Sequence, residues 1–181
     1  MKNLMKIIAF CILVVAALKP AFSQENIVKL YPVGFHLNTG GSGSNSVGFL
    51  FKVGFERVFT DKLSGQINLG LLINRYKYDF GYFGGAYTES YARFVIEPQV
   101  KYYLLDDAPH GLYVGGYFFV AARNGALMGI GPNVGYQFFL LDDRLALDAN
   151  VGMGVGFWVG SGVSGNVGFD MPFQVGAGWG F

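Results

Sequence analysis

The final stretch of the chain alternates without a break. Val167, Phe169, Met171, Phe173, Val175, Ala177, Trp179 and Phe181 are apolar, and Gly168, Asp170, Gln174, Gly176, Gly178 and Gly180 stand between them together with Pro172. A period of two puts every second side chain on one face of a β-strand, and helical periodicity cannot produce it. The stretch before repeats the pattern, with Leu145, Leu147, Ala149, Val151, Met153, Val155, Phe157 and Val159 set against Asp148, Asn150, Gly152, Gly154 and Gly156.

The same test, carried backwards, finds further apolar rows. Met128, Ile130, Val134, Tyr136, Phe138 and Leu140 alternate with Gly129, Gly131, Asn133, Gly135 and Gln137; Leu112, Val114, Phe118 and Val120 alternate with Tyr113, Gly115 and Tyr117. Ala92, Phe94, Ile96, Val100, Tyr102 and Leu104 alternate with Arg93, Glu97, Gln99 and Lys101. Ile67, Leu69, Leu71 and Ile73 face away from Gln66, Asn68 and Asn74, and Val47, Phe49, Phe51, Val53 and Phe55 from Gly48, Lys52, Gly54 and Glu56. The first strand is the weakest, with Tyr31, Val33, Phe35 and Leu37 on the apolar face against Pro32, Gly34 and His36. The pattern predicts eight strands. Pro32, Pro98, Pro132 and Pro172 fall inside them, each removing a ladder donor, so a local bulge is expected at each.

The connections alternate too. Thr60-Asp61-Lys62, residues 106–110 and Asp142-Asp143-Arg144 are tight and polar, whereas residues 40–45, 78–90, 123–125 and 160–165 are Gly-rich or longer. With an even strand count and both termini on one side, the first set faces the periplasm and the second the exterior, the asymmetry of a membrane barrel.

Composition narrows the class. Charged residues make up 14% of the chain, aromatics 17%, and there are 28 glycines; a soluble domain carries about 25% charge. Beyond residue 23 there is no apolar run of the ~18 residues that a spanning helix requires. The remaining spanning structure is a closed barrel, whose strands satisfy one another's backbone groups. A soluble barrel would set Lys, Glu, Thr and Ser on its polar face. Here that face holds mostly Gly, Asn, Gln and Tyr with a few opposed charges, which suits a crowded lumen.

The first 23 residues read differently. Lys2 and Lys6 precede an apolar stretch from Ile7 to Leu18, and Ala21-Phe22-Ser23 puts small residues at the −3 and −1 positions of a cleavage site. This predicts a secretory signal peptide over 1–23 and an all-β barrel over 24–181. Cys11, the only cysteine, would leave with the leader. That excludes disulfides and thiol chemistry from the mature protein. Thirteen Lys and Arg against twelve Asp and Glu, with no basic run, give no footprint for nucleic acid.

Leader, alternating strands and aromatic terminus together resemble the small eight-stranded outer-membrane proteins of the OmpA, OmpX and OmpW type. The stretch 94–104 (FVIEPQVKYYL), then 109–115 (PHGLYVG) and 131–138 (GPNVGYQF), is similar to a Bacteroidetes-type outer-membrane barrel family of uncharacterised activity. The resemblance covers essentially the whole mature chain. It implies residence in the Gram-negative outer membrane, with membrane lipids and the barrel-assembly machinery as partners, and it brings no catalytic residue. It also implies an assembly signal in Phe173, Trp179 and Phe181, since such barrels commonly end in an alternating aromatic strand.

Candidate chemistry lies in the lumen and one loop. An eight-stranded lumen is just wide enough for side chains to fill. Strand parity places Lys52, Arg93 and Lys101 there against Glu56, Glu97, Asp148 and Asp170, with His36 nearby. Charges in so narrow a space must be paired, which makes an internal salt-bridge network the expected role and a polar path for protons or small solutes the alternative. Glu97 and Lys101, with Arg93 on the same strand, read as partners. An outer-membrane enzyme would need a nucleophile and base; His36 with Ser42 or Ser44 is the nearest approach, and a flexible Gly/Ser loop explains those serines. No metal-ligand spacing or cofactor motif stands out. Tyr78, Phe80, Tyr82, Phe83 and Tyr87 form either a surface for a protein or glycan partner or an interfacial aromatic girdle. The expected role is structural or interactional, possible also within a larger complex; a narrow transporter and a lipid-modifying enzyme are the alternatives.

Overall fold

The computed structural model describes residues 26–39, 45–78, 87–123, 125–159 and 167–181. The predicted leader at 1–23, most of the first outer loop with Ser42 and Ser44, the aromatic residues Phe80, Tyr82 and Phe83, and the loop at 160–166 lie outside them.

Every regular element among the described residues is a strand: β1 (Asn26–Thr39), β2 (Asn45–Thr60), β3 (Leu63–Tyr78), β4 (Tyr87–Tyr103), β5 (Gly111–Ala122), β6 (Ala126–Leu140), β7 (Leu145–Gly152), β8 (Gly154–Val159) and β9 (Val167–Gly180). Neighbours pair antiparallel, and β9 returns to pair with β1. β7 and β8 hold one register against β6, from Asn133 opposite Gly152 to Ile130 opposite Val155. They therefore form one stave, interrupted at Met153. The Met153 N–H donates to the Pro132 carbonyl at 3.1 Å, and Pro132 has no N–H to return the bond. Eight staves close into an up-and-down barrel. The seam ends in a reciprocal pair, Asn26 N–H to Phe181 O at 3.1 Å and Phe181 N–H to Asn26 O at 2.9 Å.

The apolar rows face outward. Val28, Phe51, Leu69, Phe94, Val114, Ile130, Val151 and Val175, drawn from every stave, are all exposed. Soluble monomers rarely expose an apolar patch beyond a few hundred Å², and this one encircles the molecule. On β9 it runs unbroken from Phe169 to Trp179. Ten residues of strand rise ~33 Å, which is ~25 Å along the axis at a tilt of ~40°, the height of a membrane barrel's apolar band.

One proline bulges its strand. Register slips by one residue around Pro32 on both sides of β1, between Tyr31 and Phe35 against β2 and between Leu30 and Val33 against β9. Pro32 and Val33 consequently both face outward, and Tyr31, expected on the apolar face, is fully buried inside. The expected bulges at Pro98, Pro132 and Pro172 do not form; each proline holds its place in an unshifted ladder.

Inside, large rings lie over glycines on other strands. A Cβ on Gly176 would strike the Tyr31 ring, one on Gly135 the Tyr113 ring, one on Gly152 the Tyr117 ring and one on Gly129 the Phe119 ring. These bare positions give the rings room inside the lumen.

Candidate functional site

The inward rows carry the polar chemistry. At the end bearing the tight turns, Lys29 on β1 contacts both Glu56 on β2 and Asp148 on β7, the latter at 2.7 Å. Lys101 on β4 reaches the same two carboxylates, at 3.1 and 2.9 Å. Two ammonium groups and two carboxylates thus form one closed square. Tyr103 donates to Glu56 at 2.8 Å, Tyr31 and Tyr113 donate to Asp148 at 2.9 and 2.8 Å, and Ser64 also donates to Glu56. Gln137 on β6 accepts from both lysines.

A second pair lies further along the barrel. Lys52 meets Glu97 at 2.6 Å, and Asn68 and Gln99 donate to the same carboxylate oxygen at 3.0 and 2.6 Å. Gln66 links the two groups, donating to Tyr31 and to Asn68 at 2.8 and 2.6 Å. Further on, His36 Nε2 lies 2.6 Å from Asp170, which also accepts from Tyr117 at 3.0 Å. All the charged groups are buried: Lys29, Lys52, Arg93 and Lys101 against Glu56, Glu97, Asp148 and Asp170. Among the described residues, four buried cations face four buried anions.

Towards the other end the interior turns apolar. Leu50, Leu72, Val95, Phe119, Ala121 and Leu127 point inward and pack with Tyr117 in one cluster. The His36 ring meets Phe119 edge-on, with centroids 4.9 Å apart. Polar network and apolar septum together bring buried side chains from every stave into the described lumen.

The structure places Lys52, Glu56, Arg93, Glu97, Lys101, Asp148 and Asp170 on the inner face, as parity puts them. The pairing differs. Glu97 and Lys101 are not partners: Glu97 takes Lys52, and Lys101 takes Glu56 and Asp148. Residues four apart on a strand stand ~13 Å apart, beyond contact, whereas inward side chains from non-adjacent staves meet across the narrow lumen. Sequence reading also misses Lys29, the cation that balances the count, because β1 starts five residues before Tyr31 and the bulge reverses its parity. It misses the septum as well, although 49–51, 71–73, 94–96 and 118–120 are continuous apolar triplets, the mark of strands apolar on both faces. Phe173, Trp179 and Phe181 face outward and exposed on β9 or just after it. Tyr78 and Tyr87 pair in register at the ends of β3 and β4.

No family model matches the chain, and no curated protein matches it in sequence. Among solved structures, Neisserial surface protein A (NspA) superposes with a TM-score of 0.52 at 13% identity, over 90% of this chain and 100% of that one. The chain shares its fold with NspA. The outer membrane protein OprG from Pseudomonas aeruginosa is more distant, at a TM-score of 0.49 and 12% identity over 87% of this chain and 95% of that one. The likeness to NspA is one of fold, in keeping with the closed eight-stave barrel described above.

Proposed function

We propose that the chain is an integral protein of the Gram-negative outer membrane, with a structural and surface-interaction role in the envelope. The observation that carries this reading is the interior of the described residues: a charge-paired, cross-linked polar network beneath an apolar septum. The encircling apolar belt supports membrane residence, and the tight turns with the start of β1 and the end of β9 support a periplasmic placement of that rim. Membrane lipids contact the belt, the assembly machinery engages the β9 end at Phe173, Trp179 and Phe181, and the outer loops around Tyr78 and Tyr87 offer the contact surface for a protein or glycan. Catalysis fits poorly, because His36, the base that an outer-loop serine would need, is buried between Asp170 and Phe119.

Planar-bilayer recording tests the reading. The pure protein is expected to show no steady single-channel current in molar salt. A reproducible conductance that rises when Phe119 is replaced by alanine would instead establish the barrel as a narrow conduit gated at the septum.

A further inference from the structure

On the outer face of the seam, beside the tight-turn rim, a groove of about 410 Å³ is lined by Val28, Leu30, Val53, Leu145, Ala177 and Trp179. We propose that this groove holds an acyl chain of a phospholipid whose headgroup phosphate is bound by Arg57.

Strand register explains the groove. Leu147, Ala177, Leu30 and Val53 stand in one row across the wall, and Leu145, Trp179, Val28 and Phe55 in the next row towards the rim. Ala177 is the small residue of its row, so the wall is indented there, and Trp179 borders the indentation on the rim side. Tryptophan favours the headgroup level of a bilayer. That sets the Trp179 end of the groove at the interface and the Leu30 end towards hydrocarbon.

The second observation is Arg57. Phe181, Asn26 and Arg57 form the row after that of Trp179, ~7 Å further towards the rim. Arg57 follows the outward parity between buried Glu56 and buried Val58, and it is itself half-buried. Among the described residues it is the only charged one on the outward rows of β1, β2, β7 and β9. A charge on the lipid face is tolerated near the interface and costly at mid-depth, and this one stands at the interface end. Arg57 has an interaction within the protein, and the five N–H donors of a guanidinium can serve a phosphate besides. Apolar groove, interfacial ring and cation thus follow one another in the order of acyl chain, glycerol and phosphate. In the turns beyond, Asp61, Asp106, Asp107, Asp142 and Asp143 outnumber Lys62 and Arg144, which disfavours any further negative charge on the headgroup. The site therefore reads the phosphodiester that phospholipids share. That lipid reaches this face in the cell rests on the proposed membrane residence; binding in micelles does not.

The probe is dibrominated phosphatidylcholine, titrated into the full barrel in maltoside micelles and read by quenching of Trp179. Trp158→Phe leaves Trp179 as the only tryptophan. Quenching is expected to saturate, and a brominated diacylglycerol with the same chains and no phosphate should need roughly tenfold more for the same effect. Arg57→Gln should raise the phosphatidylcholine requirement by about the same factor, and Arg57→Lys should recover most of the loss. Lys62→Gln, which removes another cation of the same rim, should change it by less than about twofold. Ala177→Phe fills the groove from outside and should leave only a linear, unsaturable response. All variants are compared as the compact, heat-modifiable form, so that unfolded protein does not count as lost binding. Linear quenching of the unsubstituted groove, equal requirements for the two lipids, or undiminished binding by Arg57→Gln or Ala177→Phe would each overturn the proposal. Saturable binding in micelles by a protein that does not partition into vesicles would refute the proposed membrane residence and leave the site standing.

Discussion

Asp148 takes charge-assisted hydrogen bonds from Lys29 and Lys101 and further bonds from Tyr31 and Tyr113, all inside a wall whose outer face is apolar. Its removal would strand donors from β1, β4 and β5 at once. Breaking a buried pair by deleting one partner costs about 3–5 kcal/mol, so Asp148→Asn should lower the stability of the vesicle-inserted barrel by that order in urea titrations. Lys62, half-exposed at a turn beside Asp107, provides the contrast, and Lys62→Ala should cost about 1 kcal/mol or less. Equal midpoints for the two variants would show that the square contributes no more than a surface pair. The parity of these residues is legible in sequence because lipid admits apolar side chains and so sorts the two faces. Their partners are not legible, since pairing depends on register, shear and the bulge at Pro32, none of which leaves a compositional mark.

Among the elements, β6 shows how spacing and packing depend on each other. Its Gly129 stands beneath the Phe119 ring of β5, and its Gly135 beneath Tyr113. A methyl group at Gly129 would occupy the ring's place, so Gly129→Ala should destabilise by about 1–3 kcal/mol through overpacking. Adding Phe119→Leu to the same chain should restore part of the loss, by equilibrium unfolding. A neutral Gly129→Ala would remove the packing account. The glycine content is plain in the sequence, but which ring each glycine admits is not. Strand existence was the most readable feature of all: each alternating row became a strand, and the stave that splits into β7 and β8 keeps a single register. The septum escaped notice because a test that counts every second residue passes over Leu50, Leu72 and Val95 between their outward neighbours.

For the whole molecule, closure is the defining event. Phe181 completes the seam through its reciprocal bonds with Asn26, and Trp179 stands opposite Val28 on the same edge. Deleting Phe181 should reduce the fraction of protein that reaches the outer membrane as a compact, heat-modifiable band. An equivalent deletion in the 41–44 loop should have far less effect. Undiminished assembly after removal of both Trp179 and Phe181 would sink the terminal-signal reading and weaken the closure argument with it.

The span of the charged square sets the tempo of folding. Lys29 and Asp148 are 119 residues apart in the chain, and contacts of such separation form slowly because a long loop must be ordered before they repay it. Lys29 stands on the first stave and its second carboxylate on the seventh. Until the seventh stave brings Asp148, Lys29 and Lys101 share the carboxylate of Glu56, an excess of positive charge that hydrocarbon would reject. Stave-by-stave insertion is therefore disfavoured, and crossing the bilayer and shutting the cylinder become a single kinetic step.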